Sequence, residues 1–116
     1  GYILAVASSK PEYFVEKILD YFDMSRYFKV VVGSEMNGGR TKKADVIQEA
    51  LKRLHMENHR EQVIMVGDKE HDVFGAKQAG VSCVAVSYGY GTMDELVNAE
   101  PLQIVNSPAQ LLDFFC

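Results

Sequence analysis

Short apolar runs alternate with amphipathic stretches along the whole chain. The runs are Tyr2 to Ala7, Phe28 to Val32, Gln62 to Val66, Ser82 to Val86 and Leu102 to Val105. Four of them carry consecutive β-branched or aliphatic residues without polar alternation, the pattern of parallel strands covered on both faces. The stretches between them read as helices. Ser9-Lys10-Pro11-Glu12 has the spacing of a capping box with a proline near the first turn. Phe14, Ile18 and Phe22 follow at four-residue intervals with Val15 and Leu19 beside them, predicting one apolar stripe. A second helix carries Val46, Ile47, Ala50, Leu51 and Leu54 on one side. A third runs from about Asp72 to Ala79 and stops at Gly80. A fourth, short one holds Met93, Leu96 and Val97. The last starts at Ser107-Pro108 and buries Leu111 and Leu112, with Phe115 a further candidate.

The predicted order is five strand–helix repeats. Repeated strand-helix-strand units favour right-handed crossovers, so the expected fold is α/β: an open, doubly wound, Rossmann-like parallel sheet with helices on both faces. No internal repeat, low-complexity segment or linker interrupts it, and Gly38-Gly39-Arg40 reads as a loop. The 116 residues suit one modest domain, residues 1–116.

In such a sheet, ligands bind beyond the carboxyl ends of the strands. Polar residues gather there. The first strand ends in Ser8-Ser9-Lys10. The second ends in Gly33-Ser34-Glu35, and its loop leads to Lys42-Lys43. The third ends in Gly67-Asp68, with Asp72 one helical turn on, and the fourth in Ser87-Tyr88-Gly89-Tyr90-Gly91. Each has a plainer alternative. Ser9 serves equally as a helix cap, which is compatible with anion binding at a helix N-terminus. Ser8, directly at the strand end, is the better hydroxyl for a ligand. Lys42 and Lys43 are either solvated charges or ligand-facing, and a helix start is an unfavourable place for a cation. Asp68 and Asp72 are either first-turn acids or a carboxylate pair. Two close carboxylates repel unless a cation or lysine lies between them, and Mg2+ prefers such oxygen donors. Lysine, serine and a carboxylate-bound Mg2+ suit a phosphoryl group, which needs charge neutralisation.

Composition narrows the field. A net charge of −4 argues against nucleic-acid or anionic-membrane binding. No apolar run approaches the roughly 20 residues of a membrane span. The chain shows no charged-then-apolar leader, and Cys83 and Cys116 fit neither a disulfide framework nor a zinc spacing, so a reducing cytosol is expected. Cys83 reads as buried and inert. His55 and His59 read as surface residues, and His71 as an occasional pocket-mouth candidate. Tyr88-Gly89-Tyr90-Gly91 reads as a loop with positive φ values rather than a binding motif.

These residues together resemble the haloacid dehalogenase-type hydrolases, in the branch of phosphoglycolate phosphatases and nucleotidases. Ala5 to Pro11 resembles that family's second motif, which implies that Ser8 hydrogen-bonds the substrate phosphoryl group, with Ser9 beside it. Lys43, followed by Ala44-Asp45-Val46-Ile47, resembles the third motif, whose catalytic lysine stabilises the phosphoryl group; Lys42 is the adjacent alternative. Gly67 to Asp72 fits the fourth motif, GDxxxD. The resemblance implies Asp68 as a direct Mg2+ ligand and Asp72 as a ligand through water or a partner of the lysine. A receiver domain uses similar groups, but in the order acids, hydroxyl, lysine; here the order is hydroxyl, lysine, acids.

The family's nucleophile lies in an earlier motif, DxDxT or DxDxV, and no such sequence occurs here. The resemblance places that motif on a central strand between those ending at Ser8 and Asp68, and a cap domain after it. This chain is therefore expected to be the C-terminal part of a longer protein and to be inactive alone. The complete protein is expected to be a Mg2+-dependent phosphomonoesterase working through an aspartyl-phosphate on a small cytosolic phosphorylated metabolite. Alternatives are a nucleotidase, a phosphomutase, or a non-catalytic anion- and metal-binding module.

Overall fold

The computed structural model describes residues 2–116, which form two compact units, one ending at Arg60 and the other beginning at Glu61. Each is a parallel α/β assembly, the class that the run pattern predicts.

The first unit contains β1 (Ala5–Pro11), α1 (Glu12–Tyr21), β2 (Val30–Ser34) and α2 (Lys43–Arg53). β1 and β2 pair in parallel, Ala5 opposite Val30, Val6 opposite Val31 and Ala7 opposite Val32. The ladder then shifts register between Ala7 and Pro11, where Pro11 meets Ser34. Ser8, Ser9 and Lys10 therefore bulge at the carboxyl end of the regular pairing. The core joins Val32, Val46 and Ala50, with Ala7 and Val30 packed against them. Leu51 of α2 is fully buried; truncating it to alanine would cost about 2–5 kcal/mol.

The second unit contains β3 (Ile64–Gly67), α3 (Glu70–Ala79), β4 (Ser82–Val86), α4 (Met93–Ala99), β5 (Gln103–Val105) and α5 (Pro108–Phe115). The strand order is β3-β4-β5, all parallel. Val84, Val86 and Val105 form its centre, with Ile64, Leu111 and Phe114 against them. Gly80 ends α3 with φ 77°, the left-handed cap its position predicts. Ser107 caps α5 by accepting from Gln110 N, with Pro108 next.

Several boundaries and faces differ from the sequence reading. The first strand starts at Ala5 rather than Tyr2; Gly1, at the head of the chain, lies outside the described residues. α1 is not capped by Ser9: its N-cap is Pro11, with no side-chain cap bond, because Ser9 remains in the extended bulge. Its Phe14, Ile18 and Phe22 are 48%, 45% and 63% exposed, and only Val15 is buried. In α5 the inward residues are Leu111 and Phe114, while Leu112 is exposed.

The pairing also forms two sheets, β1-β2 and β3-β4-β5, instead of one. β1 pairs only with β2, and β3 only with β4, among the described residues. Among the described residues, β1 and β3 thus each have one unpaired edge.

Candidate functional site

The chemistry-bearing residues fall into two groups, one in each unit. In the first, the bulge after Ala7 is held by a local bond: the Ser8 hydroxyl oxygen accepts from Lys10 N at 3.1 Å. A hydroxyl that accepts in this way still has its O–H proton to donate. Lys43 opens α2, and its ammonium donates to Ala7 O at 3.2 Å. That contact brings a cation to the strand end, one residue before Ser8. Lys42, the N-cap residue, is exposed. Of the two, Lys43 is the lysine whose ammonium reaches the end of β1.

Sequence reading missed what fixes the loop leading to this lysine. Glu12 Oε1 accepts from Gly33 N at 3.3 Å and pairs with Arg40 and Arg53, at 3.3 and 3.1 Å. Arg40 also donates through Nε to Gly33 O at 2.9 Å and pairs with Glu35 at 3.2 Å. Its backbone is in the left-handed region, φ 56°. Arg53 completes the set by pairing with Glu49 at 2.8 Å. The hydrogen bond from Arg53 holds the Glu49 carboxyl below its ordinary range, against an opposing contribution from burial. A glutamate at a helix start followed by a distant arginine after two glycines was the only sequence signal, and its register is invisible without the fold.

In the second group, Asp68 follows β3 and Asp72 lies in the first turn of α3. Asp72 is buried. Its Oδ2 accepts from Asp68 N at 3.0 Å and from Lys69 N at 3.2 Å, while its own N–H donates to Lys69 O. Asp72 thus shapes the turn that presents Asp68. A side chain at Gly67 would run into the Asp72 carboxylate, which explains the glycine there.

Asp68 is held from a second direction. Tyr90 N donates to Asp68 Oδ2 at 2.9 Å, and Gly91 N donates to Asp68 O at 3.0 Å. The expectation of positive φ in the Tyr88–Gly91 loop does not hold: Gly38 and Gly80 are the positive-φ glycines among the described residues. Gly89 and Gly91 are required instead by closeness, since a Cβ on either would meet Asp68 atoms. The signal was present in the order of elements. β4 lies beside β3, Gly67 opposite Ala85, so residues just after β4 are neighbours of those just after β3.

His55, His59 and His71 are exposed, and Cys83 is buried. Among the described residues no cluster of three or more His, Cys, Asp or Glu side chains encloses a metal. No helix is long and apolar enough to cross a membrane.

The family model for haloacid dehalogenase-like hydrolases matches residues 1–86. The chain belongs to this family. The match takes in Ser8, Lys43, Asp68 and Asp72 and runs to the end of β4. Among its relatives, a 5'-nucleotidase of Pseudomonas aeruginosa is 41% identical over 87% of the chain and 45% of its own length. Tyrosine-protein kinase PtkA of Mycobacterium tuberculosis is 42% identical over 81% of the chain and 32% of its own. A phosphoglycolate phosphatase of Vibrio cholerae is 34% identical over 97% and 49%. The solved structure of a predicted phosphatase from Clostridium acetobutylicum superposes with a TM-score of 0.92 at 40% identity, over 99% of this chain and 52% of that one. The chain thus spans about half, or less, of the lengths of these relatives.

Proposed function

We propose that this chain is the phosphoryl- and metal-binding part of a longer, Mg2+-dependent phosphomonoester hydrolase acting on a small cytosolic phosphorylated metabolite. The observation that carries this reading is the Lys43 ammonium held at the end of β1 beside Ser8, in a member of a hydrolase family. Ser8, Ser9 and Lys43 would bind the phosphoryl group, Ser8 by donating its hydroxyl proton and Lys43 by neutralising developing charge.

Asp68 suits a hard cation. One of its carboxylate oxygens takes the Tyr90 N–H. A site with one or two carboxylates, completed by water and substrate oxygens, fits Mg2+ better than a closed all-protein cage. Bound there, Mg2+ would supply charge neutralisation to the phosphoryl oxygens. Asp72 would act through the turn it builds under Asp68 and through water. The nucleophilic aspartate, and with it the aspartyl-phosphate, would come from sequence outside these 116 residues.

A nucleoside monophosphate is the second substrate reading, supported by the name of the Pseudomonas relative. The PtkA relative makes the phosphoryl acceptor worth measuring as well. The test is hydrolysis of p-nitrophenyl phosphate with Mg2+ by the longer protein and by this chain, with phosphate release and tyrosine phosphorylation both followed. Activity in the former, none in the latter, and loss of turnover and Mg2+ affinity with Asp68→Asn in the longer protein are expected. Wild-type rate and metal affinity in Asp68→Asn would sink the assignment.

A further inference from the structure

Asp68 is clamped by a segment that begins 21 residues after it in the sequence. We propose that Gly89, Tyr90 and Gly91 are positioning residues that set the Asp68 carboxylate for a divalent cation, a role that rests on the reading of Asp68 as the metal ligand.

Three observations carry it. The Tyr90 amide grips one carboxylate oxygen and the Gly91 amide grips the same residue's carbonyl, so both side chain and backbone of Asp68 are fixed. The fit allows no Cβ: at Gly89 it would overlap the Asp68 side chain, and at Gly91 the Asp68 carbonyl oxygen. Finally, the loop is anchored where it enters α4. Thr92 Oγ1 accepts from Glu95 N at 3.2 Å, Glu95 Oε1 accepts from Thr92 N at 3.1 Å, and the same Glu95 oxygen pairs with Lys69 at 3.4 Å. Lys69 is the residue after Asp68, so the loop and the turn are tied at both ends of the acid. The Tyr90 ring takes no part in this grip and is 93% exposed. A carboxylate with one oxygen held by a fixed N–H presents the other in one direction, and outer partners of this kind commonly change metal affinity by about 10- to 100-fold.

The test uses the chain as it stands, with Mn2+ as the probe, read by water-proton relaxation, and amide hydrogen exchange at Tyr90. Wild type is expected to bind Mn2+ and Asp68→Asn to lose it. Gly89→Ala is expected to bind about tenfold more weakly or worse. In the metal-free chain, Asp68→Ala is expected to accelerate exchange at the Tyr90 amide about tenfold or more, since the amide loses its acceptor. Wild-type Mn2+ affinity in folded Gly89→Ala overturns the proposal. So does unchanged Tyr90 exchange in Asp68→Ala, a reading that needs neither metal nor the glycine variant. Absence of Mn2+ binding by wild type, or its survival in Asp68→Asn, instead overturns the metal reading beneath the proposal and takes the proposal with it.

Discussion

The Lys43 ammonium donates to the Ala7 carbonyl across 3.2 Å, although the two residues lie 36 positions apart. A cation at a helix N-terminus opposes the helix dipole, so its placement is explained by what it reaches. Replacing Lys43 by Ala in the longer protein is expected to lower kcat by about 10²–10³-fold, the usual cost of removing one group that stabilises transition-state charge. Lys42→Ala is expected to leave kcat near wild type. Steady-state kinetics of the two variants checks this; equal losses would place the role elsewhere.

Asp72 accepts two backbone amides from beneath the turn that presents Asp68. Asp72→Ala leaves both donors without this acceptor in a buried setting and is expected to destabilise the chain by about 1–3 kcal/mol. Asp72→Asn keeps a carbonyl oxygen for the same amides and is expected to lose less. Urea denaturation of both variants at one pH reads the difference, and an Ala variant as stable as wild type would remove Asp72 from this role.

Arg40 combines a left-handed backbone with bonds to Glu12, Gly33 and Glu35. Its two contributions separate by substitution. Arg40→Ala loses the side-chain bonds and keeps the backbone strain, whereas Arg40→Gly loses the bonds and relieves the strain. Arg40→Gly is therefore expected to be more stable than Arg40→Ala by about 1 kcal/mol. Thermal melts of the pair decide it, and the reverse order would contradict the conformation.

Glu49 has its carboxyl lowered by the hydrogen bond from Arg53. A group whose folded-state pKa lies below its unfolded value stabilises the fold above the unfolded pKa, and that stability is lost as pH falls through the folded value. The stability advantage of wild type over Glu49→Gln is thus expected to be present at neutral pH and to disappear on acidification below the ordinary glutamate range, about pH 4. Melting temperatures of both proteins across that range check the sign.

Parts of this architecture are legible in sequence because local rules and tertiary packing agree there. The aliphatic run at β4 and the Ser107-Pro108 start of α5 are cases of that agreement, as is Gly80. The helix and apolar stripe of α1 are legible too, but a stripe at helical spacing does not say what covers it, and only Val15 is buried. Ser9 reads as a cap because its spacing is right, yet the bulge after Ala7 keeps it extended. Ser8, Lys43, Asp68 and Asp72 were visible as polar residues at strand ends. The grip of Tyr90 and Gly91 on Asp68 was not, because it depends on β4 lying next to β3 with Gly67 opposite Ala85, a register no local pattern records.

Since Asp68 is fixed from below by its own turn and from the side by the segment after β4, residues 67–72 and 88–91 are fitted to one another. Exchanging only the acidic segment between relatives would set a carboxylate against a foreign loop. A chimera that moves both segments, together with the Glu95 that ties them through Lys69, carries its geometry along.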